Sequence, residues 1–347
     1  MYLLLEIPLF ILIILYSYLE AFVKLFIPAK RKLVTGEIVL ITGAGHGLGR
    51  ATAYEFAKHR SIVVLWDINK AGIEETAAEC GRLGATAYPF VVDCSKKEEI
   101  YCAAEKVKRQ IGDVSILMNN AGVITTTDLL STEDHDIEKI FEVNILAHYW
   151  TSKAFLPAMM ENSHGHIITV ASAVGHIVAP FIVPYCSSKF AAVGLHRALT
   201  MELSALKKNG VQTSCVCPMF INSDFVKNPS SRCRLQRKSS EQVVHSSSFF
   251  DDSPEIPLGG AYHAKCLTGL GSAAGKGMRL MPPLEPEQVA KQVMEGILTN
   301  QSMIFIPPFL KFSVMLDRFL PARAIPALWK LNDIKFDVVV AYKDKEK

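Results

Sequence analysis

Short apolar runs alternate with longer stretches of helical periodicity between residues 37 and 306. Most of the runs are rich in Val, Ile and Leu, which is typical of strands buried on both faces of a parallel sheet. A single helix between successive strands implies right-handed crossovers that place helices on both faces of the sheet. We therefore predict an α/β fold with one doubly wound parallel sheet of about seven strands. The predicted strands span residues 37–42, 61–66, 86–92, 115–118, 166–171, 211–217 and 303–306.

A glycine-rich turn follows the first predicted strand and opens the first helix. Glycines allow the backbone to approach a pyrophosphate closely, and the helix N-terminus offers free N–H groups and the positive end of the helix dipole. A glycine turn between a strand and a helix therefore indicates a Rossmann-type dinucleotide-binding domain. The cofactor-binding candidates in this turn are Gly43, Gly45, His46, Gly47, Leu48 and Gly49.

Carboxylates end the second and third predicted strands, at Asp67 and Asp93. A carboxylate at the first of these positions can accept hydrogen bonds from the adenosine ribose hydroxyls and would repel a 2′-phosphate. Asp93 could meet the adenine. No basic residue directly follows Asp67, and the glycine turn carries His46 rather than Arg or Lys. We therefore expect NAD as the cofactor, with NADP less favoured.

Tyr185 and Lys189 lie four residues apart in a predicted helix over 184–207, so their side chains share one face. A lysine ammonium near a phenol favours the phenolate and lowers the tyrosine pKa from its reference of about 10. Such a phenol can exchange a proton with an alcohol. The spacing alone is weak evidence for a catalytic pair, because Tyr and Lys lie four residues apart by chance in many helices. Two further features strengthen the catalytic interpretation: Ser172, thirteen residues before Tyr185, and the run Asn119-Asn120-Ala121-Gly122.

In this order the motifs resemble the short-chain dehydrogenases/reductases. The resemblance covers residues 37–228 and resumes over 284–307. The N-terminal segment and the runs 66–70 and 185–194 are similar to hydroxysteroid dehydrogenases of the endoplasmic reticulum and lipid droplets. The resemblance implies NAD-dependent interconversion of a hydrophobic secondary alcohol and its ketone, with a 17-beta-hydroxysteroid as the substrate. A retinol or another lipid alcohol is the alternative substrate.

The resemblance also implies a role for each matching residue. Tyr185 would be the acid/base, and Lys189 would lower its pKa and hold the nicotinamide ribose. Ser172 would bind the substrate oxygen and steady its developing charge. Asn144 matches a fourth active-site residue, which supports a water relay to Lys189. The remaining implied cofactor contacts are Asn120, Gly122 and Pro218.

Three segments do not follow the alternation of strands and helices. Residues 1–30 are apolar and are followed by basic residues, which favours a membrane anchor with the catalytic domain facing the cytoplasm; spanning and shallow insertion both remain open. Residues 230–283 are rich in Ser, Gly, Arg and Lys, and we expect a disordered insertion where the resembled family has its substrate-covering segment. Residues 309–347 could lie at a membrane interface or cap the core.

Composition limits the remaining classes of function. Half of the residues are hydrophobic and the net charge is only +3, which argues against a nucleic-acid-binding protein. Metal-ligand spacing is absent, so no metal site is expected. By analogy with the family, a homodimer would form through helices predicted over 134–162 and 184–207. A different class of function is a lipid-droplet surface protein whose catalysis is impaired by residues 230–283.

Overall fold

Seven parallel strands form one sheet in the computed structural model, which describes residues 2–24, 29–222, 284–317 and 319. Their order across the sheet is β3-β2-β1-β4-β5-β6-β7. This arrangement confirms the predicted doubly wound parallel sheet, and the predicted strand boundaries agree with it to within one residue. The strands are β1 (Ile38–Thr42), β2 (Ile62–Asp67), β3 (Ala87–Val91), β4 (Ile116–Asn119), β5 (Gly165–Val170), β6 (Val211–Pro218) and β7 (Met303–Ile306).

Helices connect successive strands, and one of them differs from its prediction. The helix expected over 134–162 is interrupted by a π-helical turn at Glu142–Leu146. Periodicity could not reveal this turn, because one inserted residue barely changes the apolar pattern. The helices described are α1 (Tyr2–Lys24), α2 (Gly47–Lys58), α3 (Lys70–Arg82), α4 (Lys97–Gln110), α5 (Asp134–Phe141), α6 (Ala147–Glu161), α7 (Val183–Ala205), α8 (Pro286–Leu298) and α9 (Leu310–Asp317).

The two faces of the sheet pack against different helices. Val39 and Ile41 point into a core that contains Phe56 of α2 and residues of α8. Leu40, between them, points to the opposite core, which contains Phe155 of α6. Because Phe56 is fully buried, its truncation to Ala would cost about 3–5 kcal/mol of stability.

The strand order reverses direction beside β1. The chain moves from β1 outward to β2 and β3, and then returns to place β4 on the other side of β1. Ligands of doubly wound sheets bind at the carboxyl ends of the strands at such a reversal. The fold therefore predicts a ligand crevice above the ends of β1 and β4.

The described termini contribute one helix each. Every described side chain of α1 from Ile7 to Val23 is exposed. Among the described helices, none combines the length and the apolar character needed to cross a membrane. In α9, Leu310 and Val314 pack against Ala173, so this part of the predicted tail does cap the core. The predicted insertion at 230–283 and residues 320–347 of the tail lie outside the described residues.

Candidate active site

The glycine turn lies above the carboxyl end of β1, at the crevice. A Cβ built on Gly49 would come within 2.1 Å of the carbonyl oxygen of Gly43, so only glycine fits there. The helix α2 begins at Gly47, and the preceding His46 is extended and caps it with no side-chain hydrogen bond. The first N–H groups of α2 are therefore open to an anionic ligand, as predicted for a pyrophosphate. Leu48 is buried behind the turn, whereas His46 is exposed.

Asp67 lies directly against this turn. Its Oδ2 accepts a hydrogen bond from the N–H of Gly45 at 2.9 Å, and its Oδ1 accepts one from the N–H of Asn69 at 2.9 Å. A Cβ on Gly45 would lie 2.9 Å from the Asp67 carboxyl carbon, so glycine is required for this approach. The carboxylate is thus held between the glycine turn and α3, where the sequence analysis placed a ribose contact.

Two residues that were not identified from the sequence hold the glycine turn in place by hydrogen bonds to its carbonyls. Thr76 of α3 donates a hydrogen bond to the carbonyl of Ala44 at 3.0 Å. Arg50 of α2 donates one to the carbonyl of Gly45 at 2.5 Å. Neither residue stands out in a sequence, because a Thr and an Arg on helix surfaces are common. Their effect is to hold two carbonyls of the turn away from a bound anion.

The end of β4 is tied to the end of β1 by a second network. Asn120 Nδ2 donates to the carbonyls of Thr42 at 2.9 Å and Gly43 at 3.2 Å. In return, Thr42 Oγ1 accepts hydrogen bonds from the N–H groups of Asn120 and Ala121, both at 3.0 Å. Gly122 follows, half-buried, in the connection after β4. Asn120 thus shapes the crevice from behind, and Thr42 is a further residue that the sequence analysis did not single out.

Asp93 lies just beyond the end of β3, where the sequence analysis predicted a contact with the adenine. Its Oδ1 accepts hydrogen bonds from the N–H of Ser95 at 2.9 Å and the hydroxyl of Ser95 at 2.7 Å. Lys139 of α5 lies 3.5 Å from its Oδ2. Partial burial alone would raise the pKa of Asp93, but the Ser95 hydrogen bonds and the Lys139 charge outweigh it and hold that pKa below its usual value. The group is therefore a carboxylate at neutral pH.

Ser172, Tyr185 and Lys189 meet beyond the carboxyl ends of β5 and β6. Ser172 and Tyr185 share a side-chain hydrogen bond. Ser172 Oγ also lies 3.3 Å from the carbonyl oxygen of Pro218, the last residue of β6. Lys189 is 3% exposed, and its Nζ donates to the carbonyl of Val170 at 2.9 Å. The three residues predicted to act together are therefore neighbours, and Pro218 borders them.

Burial is the main influence on the protonation states of Tyr185 and Lys189. Burial raises the pKa of Tyr185, while its hydrogen bond with Ser172 works in the opposite direction. Burial lowers the pKa of Lys189 to about 8, against smaller opposing effects from Cys215 and Cys217. The spacing of Tyr185 and Lys189 predicts a lowered tyrosine pKa. In the folded chain, desolvation of the phenol is the largest effect and raises that pKa, so Tyr185 is a neutral phenol at neutral pH.

Asn144 lies in the π-helical turn, and its whole amide is engaged. Its Oδ1 accepts from the N–H of Val123 at 2.8 Å, and its Nδ2 donates to the carbonyl of Val123 at 3.0 Å and to Ser188 Oγ at 3.0 Å. The hydroxyl of Ser188 in turn donates to the carbonyl of Tyr185 at 2.8 Å. The side chain therefore joins the connection after β4 to α7, the helix that carries Tyr185 and Lys189. π-Helical turns are frequent at functional sites.

His148, one turn after Asn144, is a further group that sequence reasoning missed. It is 1% exposed, and neither ring nitrogen has a polar partner within the described chain. Burial and the nearby Lys189 charge lower its pKa to about 3. A neutral imidazole therefore lies near Lys189. Its only sequence signal is its spacing of four residues from Asn144.

Apolar side chains surround the phenol of Tyr185. Ile124, Val174, Ala179 and Ile182 form one cluster with it. Val178 is 61% exposed and lies in the same connection between β5 and α7. A ligand whose oxygen reached Ser172 and Tyr185 would therefore contact mostly hydrocarbon.

Comparisons with known proteins point to one family. The family described as short chain dehydrogenase matches residues 37–233. Estradiol 17-beta-dehydrogenase 11 of Mus musculus is 55% identical over 334 residues, which are 96% of this chain and 96% of that protein. The 17-beta-hydroxysteroid dehydrogenase 13 of Homo sapiens is 50% identical over 347 residues, covering 100% of both chains.

A solved structure shows the same fold. The crystal structure of a short chain dehydrogenase/reductase from Burkholderia phymatum in complex with NAD superimposes with a TM-score of 0.67 at 23% identity. It covers 88% of this chain and 99% of that one. At this identity the likeness concerns the fold alone.

Proposed function

The chain belongs to the short-chain dehydrogenase family, and from this premise we propose that it oxidises a hydrophobic secondary alcohol with NAD, and reduces the ketone in reverse. The substrate class is a 17-beta-hydroxysteroid. The observation that carries the proposal is the hydrogen-bonded pair Ser172 and Tyr185, with Lys189 buried beside it at the carboxyl ends of the strands.

The crevice suits a nicotinamide dinucleotide. The glycines at 45 and 49 let the turn pack tightly, because a Cβ on Gly45 would meet the Asp67 carboxylate and one on Gly49 would meet the carbonyl of Gly43. The open N–H groups of α2 would hold the pyrophosphate, Asp67 the adenosine ribose, and Lys189 the nicotinamide ribose. Asp67 supports NAD over NADP, because its carboxylate would repel a 2′-phosphate.

The bound dinucleotide supplies the hydride acceptor for the carbinol carbon. The chain's own residues handle the proton and the oxygen. Ser172 Oγ donates a hydrogen bond to the substrate oxygen and positions it, and Tyr185 Oη takes the hydroxyl proton. The Lys189 ammonium stabilises the phenolate form, offsetting part of the desolvation that disfavours it. Asn144 holds α7 in place through Ser188, and so fixes where the phenol lies.

The steroid assignment rests on the surroundings of Tyr185 and on the relatives. Two proteins of high identity carry the names estradiol 17-beta-dehydrogenase and 17-beta-hydroxysteroid dehydrogenase. The apolar cluster around Tyr185 suits a rigid hydrocarbon skeleton that brings a single hydroxyl to Ser172 and Tyr185. Retinol or another lipid alcohol shares this chemistry and is the competing substrate.

The same protein would work at the surface of the endoplasmic reticulum or a lipid droplet. Support comes from α1, whose Phe10, Leu12 and Leu15 are each more than 60% exposed. Phe312 of α9 is 68% exposed, on the side opposite its packed residues. Flotation with phospholipid-coated triolein droplets tests this. Full-length protein should float and protein lacking residues 2–24 should not; equal flotation would exclude α1 as the anchor.

A homodimer would pair α6 and α7 with their counterparts in a second copy. Tyr149 of α6 and Met201 of α7 are large apolar side chains that are 43% and 75% exposed. Replacing Met201 by Arg should convert dimer to monomer in sedimentation velocity. Leu130→Arg is the matched control, because Leu130 is also 75% exposed but lies outside both helices. Dimers of equal strength in both variants would exclude this face.

The decisive experiment is turnover by purified full-length protein with NAD and either estradiol or retinol. Turnover of estradiol that exceeds that of retinol supports the steroid assignment, and the reverse order replaces it. A variant lacking residues 231–281 is measured in parallel. If only the shortened protein turns over, the long form acts at the lipid surface, where the exposed face of α1 is the feature that favours such a role.

A further inference from the structure

We propose that Glu75 of α3 is a second determinant of cofactor choice, because its pairing with Arg50 cancels a positive charge that would otherwise favour a 2′-phosphate. The inference rests on the proposed use of NAD and extends it. Asp67 is then not the sole residue that excludes NADP. The two act differently: Asp67 repels the phosphate directly, whereas Glu75 acts through Arg50.

The position of Arg50 is set by three oxygens. Its Nη2 donates to the carbonyl of Gly45 at 2.5 Å and to that of Gly72 at 3.3 Å, and it lies 3.0 Å from Oε2 of Glu75. The Arg50 side chain is only 25% exposed, so the guanidinium is confined between the glycine turn and α3. Two backbone carbonyls and one carboxylate thus share a single cation.

Gly45 is the link between this cation and the ribose site. Its carbonyl accepts from Arg50, and its N–H donates to Asp67 Oδ2 at 2.9 Å. Arg50 and Asp67 therefore lie on either side of one residue. A 2′-phosphate on a ribose bound at Asp67 would come within the range over which charges at a protein surface interact.

The charge balance around the ribose end depends on Glu75. Asp67 contributes a negative charge, and Arg50 with Glu75 contributes none in sum. Lys70 and Glu74, on the outer face of α3, form a separate pair at 3.8 Å and also cancel. Removing the charge of Glu75 alone would leave Arg50 uncompensated, while its carbonyl hydrogen bonds would keep it in place.

Measured dissociation constants of NAD and NADP, without substrate, test the inference by titration calorimetry. In Glu75→Gln we expect the affinity for NADP, relative to that for NAD, to rise by about three- to fivefold, the upper end of what an exposed ion pair contributes. The gain should shrink at high salt, because exposed charges are screened. Glu79→Gln is the matched control, since it removes the same charge from the same helix and leaves only Arg82, at the far end of α3, without its partner. It should change the ratio by less than about twofold.

A double-mutant cycle shows whether Glu75 acts through Arg50. The effect of Glu75→Gln should vanish in an Arg50→Gln background and persist in Arg50→Lys, which keeps the charge. Equal ratios for Glu75→Gln and Glu79→Gln, or a gain that survives Arg50→Gln, would overturn the inference while leaving the proposed function intact. Failure of the wild-type protein to bind NAD would instead overturn the proposed function.

Discussion

Lys189 lies beneath the ring of Tyr185, with its Nζ 5.6 Å from the ring centroid and hydrogen-bonded to the carbonyl of Val170 at 2.9 Å. The cation is thus held by the end of β5, while the phenol is carried one helical turn earlier on α7. Because strand and helix are packed together, neither group has to be ordered when a substrate arrives. Catalysis then depends on the protonation states of Tyr185 and Lys189.

Replacing Tyr185 by Phe should lower kcat by at least about 10²-fold, because positioned acid–base catalysis contributes about 10²–10⁴-fold. Binding of NAD should hardly change, since the hydroxyl is not among the groups that hold the pyrophosphate or adenosine. Steady-state kinetics and calorimetry measure the two effects. Tyr88→Phe, on the edge strand β3, is the control for loss of a phenol hydroxyl. Turnover close to wild type in Tyr185→Phe would rule out Tyr185 as the group that exchanges the proton.

Alcohol oxidation and ketone reduction should respond differently to pH. Oxidation needs the phenolate of Tyr185, and burial raises the pKa of that group, so kcat/KM for oxidation should rise between about pH 6 and pH 8. Reduction needs the neutral phenol, which is the main form there, so its kcat/KM should stay nearly flat.

Above pH 8 the rise in oxidation should become shallower. Lys189, with a pKa lowered to about 8, loses there the positive charge that supports the phenolate. Initial rates in both directions across one buffer series measure this. Parallel profiles for oxidation and reduction would contradict the assignment of Tyr185 as the group that exchanges the proton.

Replacing Asp67 by Asn should weaken NAD binding and reduce the discrimination against NADP. The amide cannot accept two ribose hydrogen bonds as a carboxylate does, and it no longer repels a 2′-phosphate. Dissociation constants for both cofactors give the ratio directly. A wild-type protein that already preferred NADP would refute this account of Asp67.

Gly45→Ala should abolish cofactor binding while the fold is retained. The new methyl would lie 2.9 Å from the Asp67 carboxyl carbon, so the turn or the carboxylate must shift. Gly81→Ala is the control, because nothing lies within 4 Å of its Cβ position in α3. It should instead stabilise the protein by about 0.5–1 kcal/mol. Calorimetry with NAD and thermal unfolding separate the two outcomes.

Asn144→Ala should destabilise the protein and also lower turnover. The change leaves the half-buried N–H and carbonyl of Val123 without their partner, at a cost of about 1–3 kcal/mol for each group that stays unsatisfied. Asn162→Ala is the control, because its hydrogen bond to Asp113 is exposed and should contribute little. Denaturant unfolding gives the free energies. Equal stability of the two variants would show that Asn144 does not support the site.

The amino-acid sequence alone determined the doubly wound sheet, the glycine turn and the partnership of Tyr185 with Lys189. These features arise from local spacing: apolar runs of strand length, glycines between a strand and a helix, and two side chains one helical turn apart. Asp67 could be placed too, because the carboxyl ends of parallel strands gather at one edge, whereas Ser172 and Asn120 were assigned by the family resemblance.

Only the tertiary structure decided the remaining features, because they depend on atoms far apart in the chain. The π-helical turn lets Asn144 reach both Val123 and Ser188, which lie 21 and 44 residues away. Arg50 braces the glycine turn from α2 and meets Glu75 on α3 only after both helices pack against the sheet. Burial, likewise a property of the assembled core, raises the pKa of Tyr185 where the local lysine alone would lower it. Desolvation is set by everything that surrounds a group, and no spacing of residues along the chain encodes it.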